Sequence, residues 1–195
     1  GKILAVGKPD LARQIDAMRA SLKQYQGHFA TVVAQKRQLG LDEKSGLERQ
    51  LRASVHAIES RADQLHESAL LVTMLMMRRH EKDFMLRRDG KYGDDMKKRG
   101  AEFMAGLERA SIPEVAKTEL KQKLADYQRD FQAWMEQALK LGDELKAMSE
   151  YFAEVEPGIE AVSKSVKGIR AEAETMNIAE RDGIQRMRES AILCT

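Results

Sequence analysis

The chain has 195 residues, of which 43% are hydrophobic, 33% charged and only 5% aromatic, with three prolines. This is the composition of long packed helices; it excludes disorder, and it excludes a sheet-based fold, which needs β-branched and aromatic runs broken by glycine and proline. Lys plus Arg (33) nearly cancels Asp plus Glu (31), and the two signs are interleaved, so the one-sided basic face of a nucleic-acid binder is missing.

Apolar residues recur every three or four positions along most of the chain, the signature of helices that bury one face. The first helix starts at Pro9-Asp10, carries Ile15, Met18, Leu22, Tyr25, Phe29, Val32 and Leu39 on one stripe, and is capped by Gly40. The second is expected as one long helix from about Asp42 to Arg88. Its seam is Leu51, Val55, Ile58, Ala62, Leu65, Ala69, Val72 and Met76, and Asp89-Gly90 ends it. A shorter helix from about Tyr92 to Ala110 offers Met96, Phe103 and Leu107. After Ser111-Ile112-Pro113 comes a helix with Leu120, Leu124, Tyr127, Phe131, Trp134 and Leu141, expected to close in a tight turn at Gly142. The last helix keeps a heptad seam from Leu145 to Met176, and Pro157 is expected to kink it without breaking it.

A single cysteine, Cys194, excludes a disulfide framework or a thiolate zinc site. No run approaches the ~20 apolar residues of a membrane span, and no signal peptide opens the chain. Gly1 to Val6 lacks a start methionine, and Ser190 to Thr195 turns apolar, so the expectation is a piece excised from a longer protein.

An internal repeat suggests the overall arrangement. Leu22, Tyr25, Gln26, Phe29, Leu39 and Gly40 recur at one constant offset as Leu124, Tyr127, Gln128, Phe131, Leu141 and Gly142. Two amphipathic helices can share such spacing by chance. Read as a duplication, it predicts an all-α fold of two stacked helical bundles sharing two long helices. One bundle is built from about 9–68 with 113–170, and the other from about 69–110 with 171–195. The second bundle lacks one short N-terminal helix.

The densest charge lies at Met76-Met77-Arg78-Arg79-His80-Glu81-Lys82-Asp83-Phe84-Met85-Leu86-Arg87. Continuing the seam through Met76 puts Arg79 and Asp83 on a stripe that had been apolar, and a buried charge needs a partner or a ligand. Either Arg79 and Asp83 brace the bundle, or Arg79 offers its two-pronged guanidinium to an anion. Of the histidines, His56 and His66 share a face with Glu59 and Asp63, which suits a solvated charged face or a metal; no Glu lies three residues before any histidine, as a di-iron site requires. No nucleophilic triad, phosphate loop or paired catalytic carboxylates can be argued. The expectation is a chain that is not an enzyme and carries no cofactor or metal.

The run from Met77 to Arg87, followed by Lys91-Tyr92, resembles the periplasmic sensor region of bacterial methyl-accepting chemotaxis receptors, and more narrowly the helical bimodular (HBM) sensor family. The resemblance covers nearly the whole chain, although related runs also occur in simpler four-helix receptor domains. It implies a periplasmic domain held in the bacterial inner membrane by flanking helices outside this sequence, a homodimer, and small organic acids as ligands. On that reading the 9–68/113–170 bundle is membrane-distal and the other membrane-proximal. Arg78, Arg79 and Arg170 are the candidate carboxylate binders, because an acid needs a cation in a partly desolvated pocket. Tyr25 and Tyr127, expected at matching heights in the distal bundle, either form an aromatic core layer or line a small cavity. The output module, chemoreceptor or sensor histidine kinase, stays open. A structural bundle that binds a partner protein and no small ligand is the alternative.

Overall fold

The computed structural model describes residues 9–193, and Gly1 to Val6, Cys194 and Thr195 lie outside the described residues. The fold is all-α: α1 (Pro9–Leu39), α2 (Gly46–Gln64), α3 (Ser68–Arg87), α4 (Lys91–Arg109) and α5 (Glu114–Leu193), with no strand among the described residues. None of these helices is long and apolar enough to cross a membrane. The chain divides into two compact units, residues 28–147 and the described residues of 1–27 with 148–195.

In the 28–147 unit, α2, α3, α4 and the first part of α5 form an up-down-up-down four-helix bundle. Each helix turns one stripe inward: Leu51, Val55, Ile58 and Ala62 from α2, Leu70, Met74, Met77 and Phe84 from α3, Tyr92, Met96, Phe103 and Leu107 from α4, and Leu120, Leu124, Tyr127, Phe131 and Trp134 from α5. The ring of Phe84 meets Phe131 and Trp134 edge-on, each at 5.9 Å, the geometry aromatic quadrupoles favour. Polar contacts fix the helix directions. Arg78 meets Glu59 between α3 and α2, and Lys121 meets Glu108 between α5 and α4.

The connection from α1 to α2 is tight because two glycines make it. Gly40 (φ +125°) and Gly46 (φ +57°) take conformations that side chains rarely adopt, and a Cβ on Gly46 would lie 2.5 Å from the Gln38 carbonyl oxygen. Ser45 Oγ accepts the amides of Leu41 and Asp42 at 3.0 and 3.2 Å, which satisfies donors freed by the turn.

Two expectations about helix length are corrected. The long helix over 42–88 does not exist: it breaks at Leu65-His66-Glu67, where His66 takes a left-handed φ of 55°. A non-glycine residue there costs of order 1–3 kcal/mol. The break lets Leu51, Val55 and Ile58 of α2 and Leu70, Met74 and Met77 of α3 reach one core, and burying each is worth ~1.5–3 kcal/mol, so packing wins. The expected turn at Gly142 is also absent. That glycine sits inside α5 with open space beside it, and a mid-helix glycine costs only about 1 kcal/mol against alanine, too little to end a helix. Helix α5 likewise runs unbroken through Pro157.

In the other unit α1 and α5 pair antiparallel. Tyr151 Oη donates to Gln24 Oε1 at 2.7 Å and lies 3.1 Å from the Ser21 carbonyl oxygen, and the rings of Tyr25 and Phe152 lie 5.9 Å apart. Two helices alone cover little, so Leu22 and Phe152 stay 41% and 46% exposed.

These contacts group the chain differently from the repeat-based expectation. Residues 69–110 pack with the start of α5 rather than with 171–195, and residues 9–27 belong with 148–193 rather than with α2. Tyr25 and Tyr127 therefore fall in different units.

Candidate functional site

Between α2 and α3, inside the 28–147 unit, lies a cavity of about 240 Å³. Leu51 and Val55 of α2, both almost wholly buried, form its apolar floor together with Met85 of α3. Glu48, Arg52 and His56 stand beside that floor at helical spacing on α2, Arg78, Glu81 and Lys82 face them from α3, and Glu43 reaches in from the α1–α2 loop. The wall is thus almost entirely ionisable over an apolar base.

Glu81 is the unusual member. Its position in the core stripe, between Met77 and Phe84, leaves it 2% exposed. A carboxylate at that depth needs partners. Tyr127 Oη donates to its Oε2 at 2.8 Å, and Lys82 Nζ lies 2.8 Å from its Oε1. Burial first, and then the charge of Glu81 and this hydrogen bond, push the Tyr127 phenol well above its ordinary pKa, so the hydroxyl stays a donor.

The other charges are paired across and around the gap. Arg78 Nη1 lies 3.3 Å from Glu59 Oε2, and His56 Nδ1 approaches the same oxygen at 3.5 Å. Arg52 pairs with Glu43. Behind the site, Arg88 sits over the Trp134 ring at 4.7 Å; desolvation is the main influence on its pKa and lowers it, partly offset by the charge of Glu48.

A wider groove of about 510 Å³ runs between α2 and α5, but its charges satisfy one another: Arg129 pairs with Asp126 at 2.7 Å and with Asp130 at 2.9 Å. Among the described residues no group of three or more His, Cys, Asp or Glu is placed to hold a metal ion. The face shared by His56, Glu59, Asp63 and His66 is interrupted by the break at His66.

The five residues singled out from the sequence do not converge. Arg78 lines the cavity and Tyr127 holds the buried Glu81 at its edge. Arg79 lies outside the lining, with its side chain 73% exposed and 3.9 Å from Asp83. Tyr25 and Arg170 belong to the other unit, where Arg170 is 82% exposed and bonds Glu174 at 3.0 Å. Glu81 escaped the sequence reading because the seam was carried through residues 65–67 without a break. Restarting it at Leu70 gives Leu70, Met74, Met77, Glu81 and Phe84, and the buried acid stands out. Comparison with protein-family models, curated proteins and solved structures returns no match.

Proposed function

We propose that this chain is the ligand-sensing domain of a transmembrane chemoreceptor and that the cavity between α2 and α3 takes a small organic acid. The observation that carries the reading is the ionisable cavity itself. Arg78 and Lys82 line it one turn apart, with the buried Glu81–Tyr127 pair beside them and an apolar floor below. Helix pairs that enclose a polar gap are natural binding sites, because a bound acid can be held from both sides and shift how the helices pack. The resemblance of residues 77–87 to chemoreceptor sensor regions supports the same reading.

On this proposal the domain is periplasmic, homodimeric and anchored in the inner membrane through flanking helices. It is not an enzyme, and needs neither cofactor nor metal. Ligand binding favours one packing of α2 against α3, and α5, one unbroken helix with residues in both units, carries a displacement toward the cytoplasmic module. A histidine-kinase output would use the same device. The structural-module reading has one observation in its favour: Phe152, Val166, Met176 and Met187 of α5 are exposed apolar side chains on a seam that suits a partner helix.

The test is calorimetric titration of the chain and of its Arg78→Ala variant with a panel of small organic acids. Saturable binding that the variant loses supports the proposal. A panel without a single binder contradicts it.

A further inference from the structure

His80 is a titratable group that the cavity does not use. It leaves α3 on the far side of the helix from Arg78 and faces α4. Its side chain is 17% exposed, and its Nδ1 is buried and, among the described residues, has no hydrogen-bond partner. An unpaired buried polar atom costs stability, so one in this place asks for a reason. Asp95 Oδ2 of α4 lies 3.8 Å from that nitrogen, too far for a hydrogen bond and near enough to reach one by a small side-chain movement. The other groups around the ring are engaged elsewhere. The ring of Tyr92 flanks the imidazole at 6.4 Å, and its hydroxyl accepts a hydrogen bond from Arg87 Nη1 at 2.6 Å. Asp83, on α3 itself, faces Arg79 at 3.9 Å and Arg87 at 3.7 Å. Lys91 and Arg99, one turn to either side of Asp95 on α4, pair with Asp89 at 3.1 Å and Glu102 at 2.6 Å. Toward α2 and α5, Glu59 and the Tyr127 hydroxyl meet Arg78 and Glu81. The carboxylate that answers His80 is therefore Asp95.

We propose that His80 and Asp95 form a proton-operated clasp between α3 and α4. A neutral imidazole has one donor and one acceptor, whereas the protonated ring donates from both nitrogens. Histidine makes that change between about pH 5 and 8, a range in which aspartate carries its charge. With the proton bound, Nδ1–H donates to Asp95 Oδ2, and the gap of 3.8 Å closes to the ~2.8 Å of a charge-assisted hydrogen bond. The orphaned nitrogen is satisfied in the same step. With the ring neutral the pair stands apart, and α4 is held to α3 there by the packing of Tyr92 and Met96 against the core. Charging a ring with so little exposure carries a desolvation penalty, and the facing carboxylate is what offsets it. The contact exists only with the proton bound, so protonation and closure stabilise each other: the clasp strengthens the bundle in acid and contributes nothing once the ring is neutral. Helix α3 also carries Arg78, Glu81 and Lys82 into the cavity, so acidity sets how firmly that wall is held, whatever the cavity binds.

A double-mutant cycle in the 195-residue chain, with no ligand added, tests this. His80→Gln, Asp95→Asn and the double variant are unfolded in urea at about pH 5.5 and about pH 7.5, on either side of the histidine range. His28 and His56 also face carboxylates, Glu144 and Glu59, and their contributions cancel in the cycle. The expected coupling between the two sites is about fivefold or more in the folding constant at the acid pH, and less than about twofold at the higher one. A second readout needs no change at His80: proton NMR at the acid pH should show a slowly exchanging imidazole Nδ1–H signal that Asp95→Asn removes. A coupling that is absent in acid, or that does not fall at the higher pH, overturns the clasp, as does an imidazole signal that survives Asp95→Asn. None of these results bears on what the cavity binds, so the clasp and the sensing role stand or fall separately.

Discussion

Replacing Tyr127 with phenylalanine removes one oxygen from the core and leaves the packing of the ring in place. The hydroxyl it removes donates to Glu81 Oε2 at 2.8 Å, and Tyr127 is 0% exposed, so the bond is lost on the core side of Glu81. A hydrogen bond to a charged group contributes ~1.5–3 kcal/mol. For a chain of this size that corresponds to a drop of about 3–12 °C in Tm. Urea unfolding followed by circular dichroism measures the free energy, and Tyr25→Phe is the control, because Tyr25 has its ring on Phe152 and belongs to the other unit. The control should change stability by less than about 0.5 kcal/mol. The double variant Glu81→Leu/Tyr127→Phe should lose less than Tyr127→Phe alone, since removing the buried charge with its partner removes the penalty. Equal effects at Tyr127 and Tyr25 would refute the buried pair.

His66→Gly should stabilise the chain by up to about 1 kcal/mol in urea unfolding, because glycine takes the left-handed conformation at φ 55° without strain; a helix continuous through residue 66 would instead lose about 1 kcal/mol. Gly142→Ala should raise stability by about 0.5–1 kcal/mol, whereas Gly46→Ala, whose Cβ meets backbone at 2.5 Å and whose φ is +57°, should cost about 2 kcal/mol or more; the reverse order would restore a turn at Gly142. Alkaline titration carries a sign. The folded state raises the pKa of Tyr127 above its ordinary 10.0, so the phenol's contribution to stability is complete below pH 10.0 and is lost as pH rises beyond it. Tyr127 should resist ionisation, read by tyrosinate absorbance, until the bundle unfolds, and Tyr127→Phe should abolish that late phase.

The helical class and most of the bundle core were legible because their signals are local. The seam from Leu120 to Trp134 was read directly from its spacing and is buried as expected. What failed was the placement of chain reversals. Leu65-His66-Glu67 contains neither glycine nor proline, and the turn there is imposed by tertiary burial of α2 and α3 against α5, a force with no local mark. Gly142 carries the opposite lesson, since a residue that permits a turn does not compel one. Those two errors propagated into the site. The missed break shifted the register of α3, which directed attention to solvent-facing Arg79 and away from Glu81, two residues on and on the opposite face. Arg78 and Tyr127 were reached by residue type and aromatic pattern. Tyr25 and Arg170 were placed beside them only through the assumed repeat, and the contacts separate them.

Hydrogen exchange of the chain, with and without a saturating concentration of the small organic acid that binds most tightly in the calorimetric panel, tests the central claim most directly. The account predicts slowed exchange in α2 around Leu51 to His56 and in α3 around Arg78 to Met85, absent in Arg78→Ala. Protection confined to the segments around Tyr25 and Arg170, or the same pattern in the Arg78 variant, would contradict it.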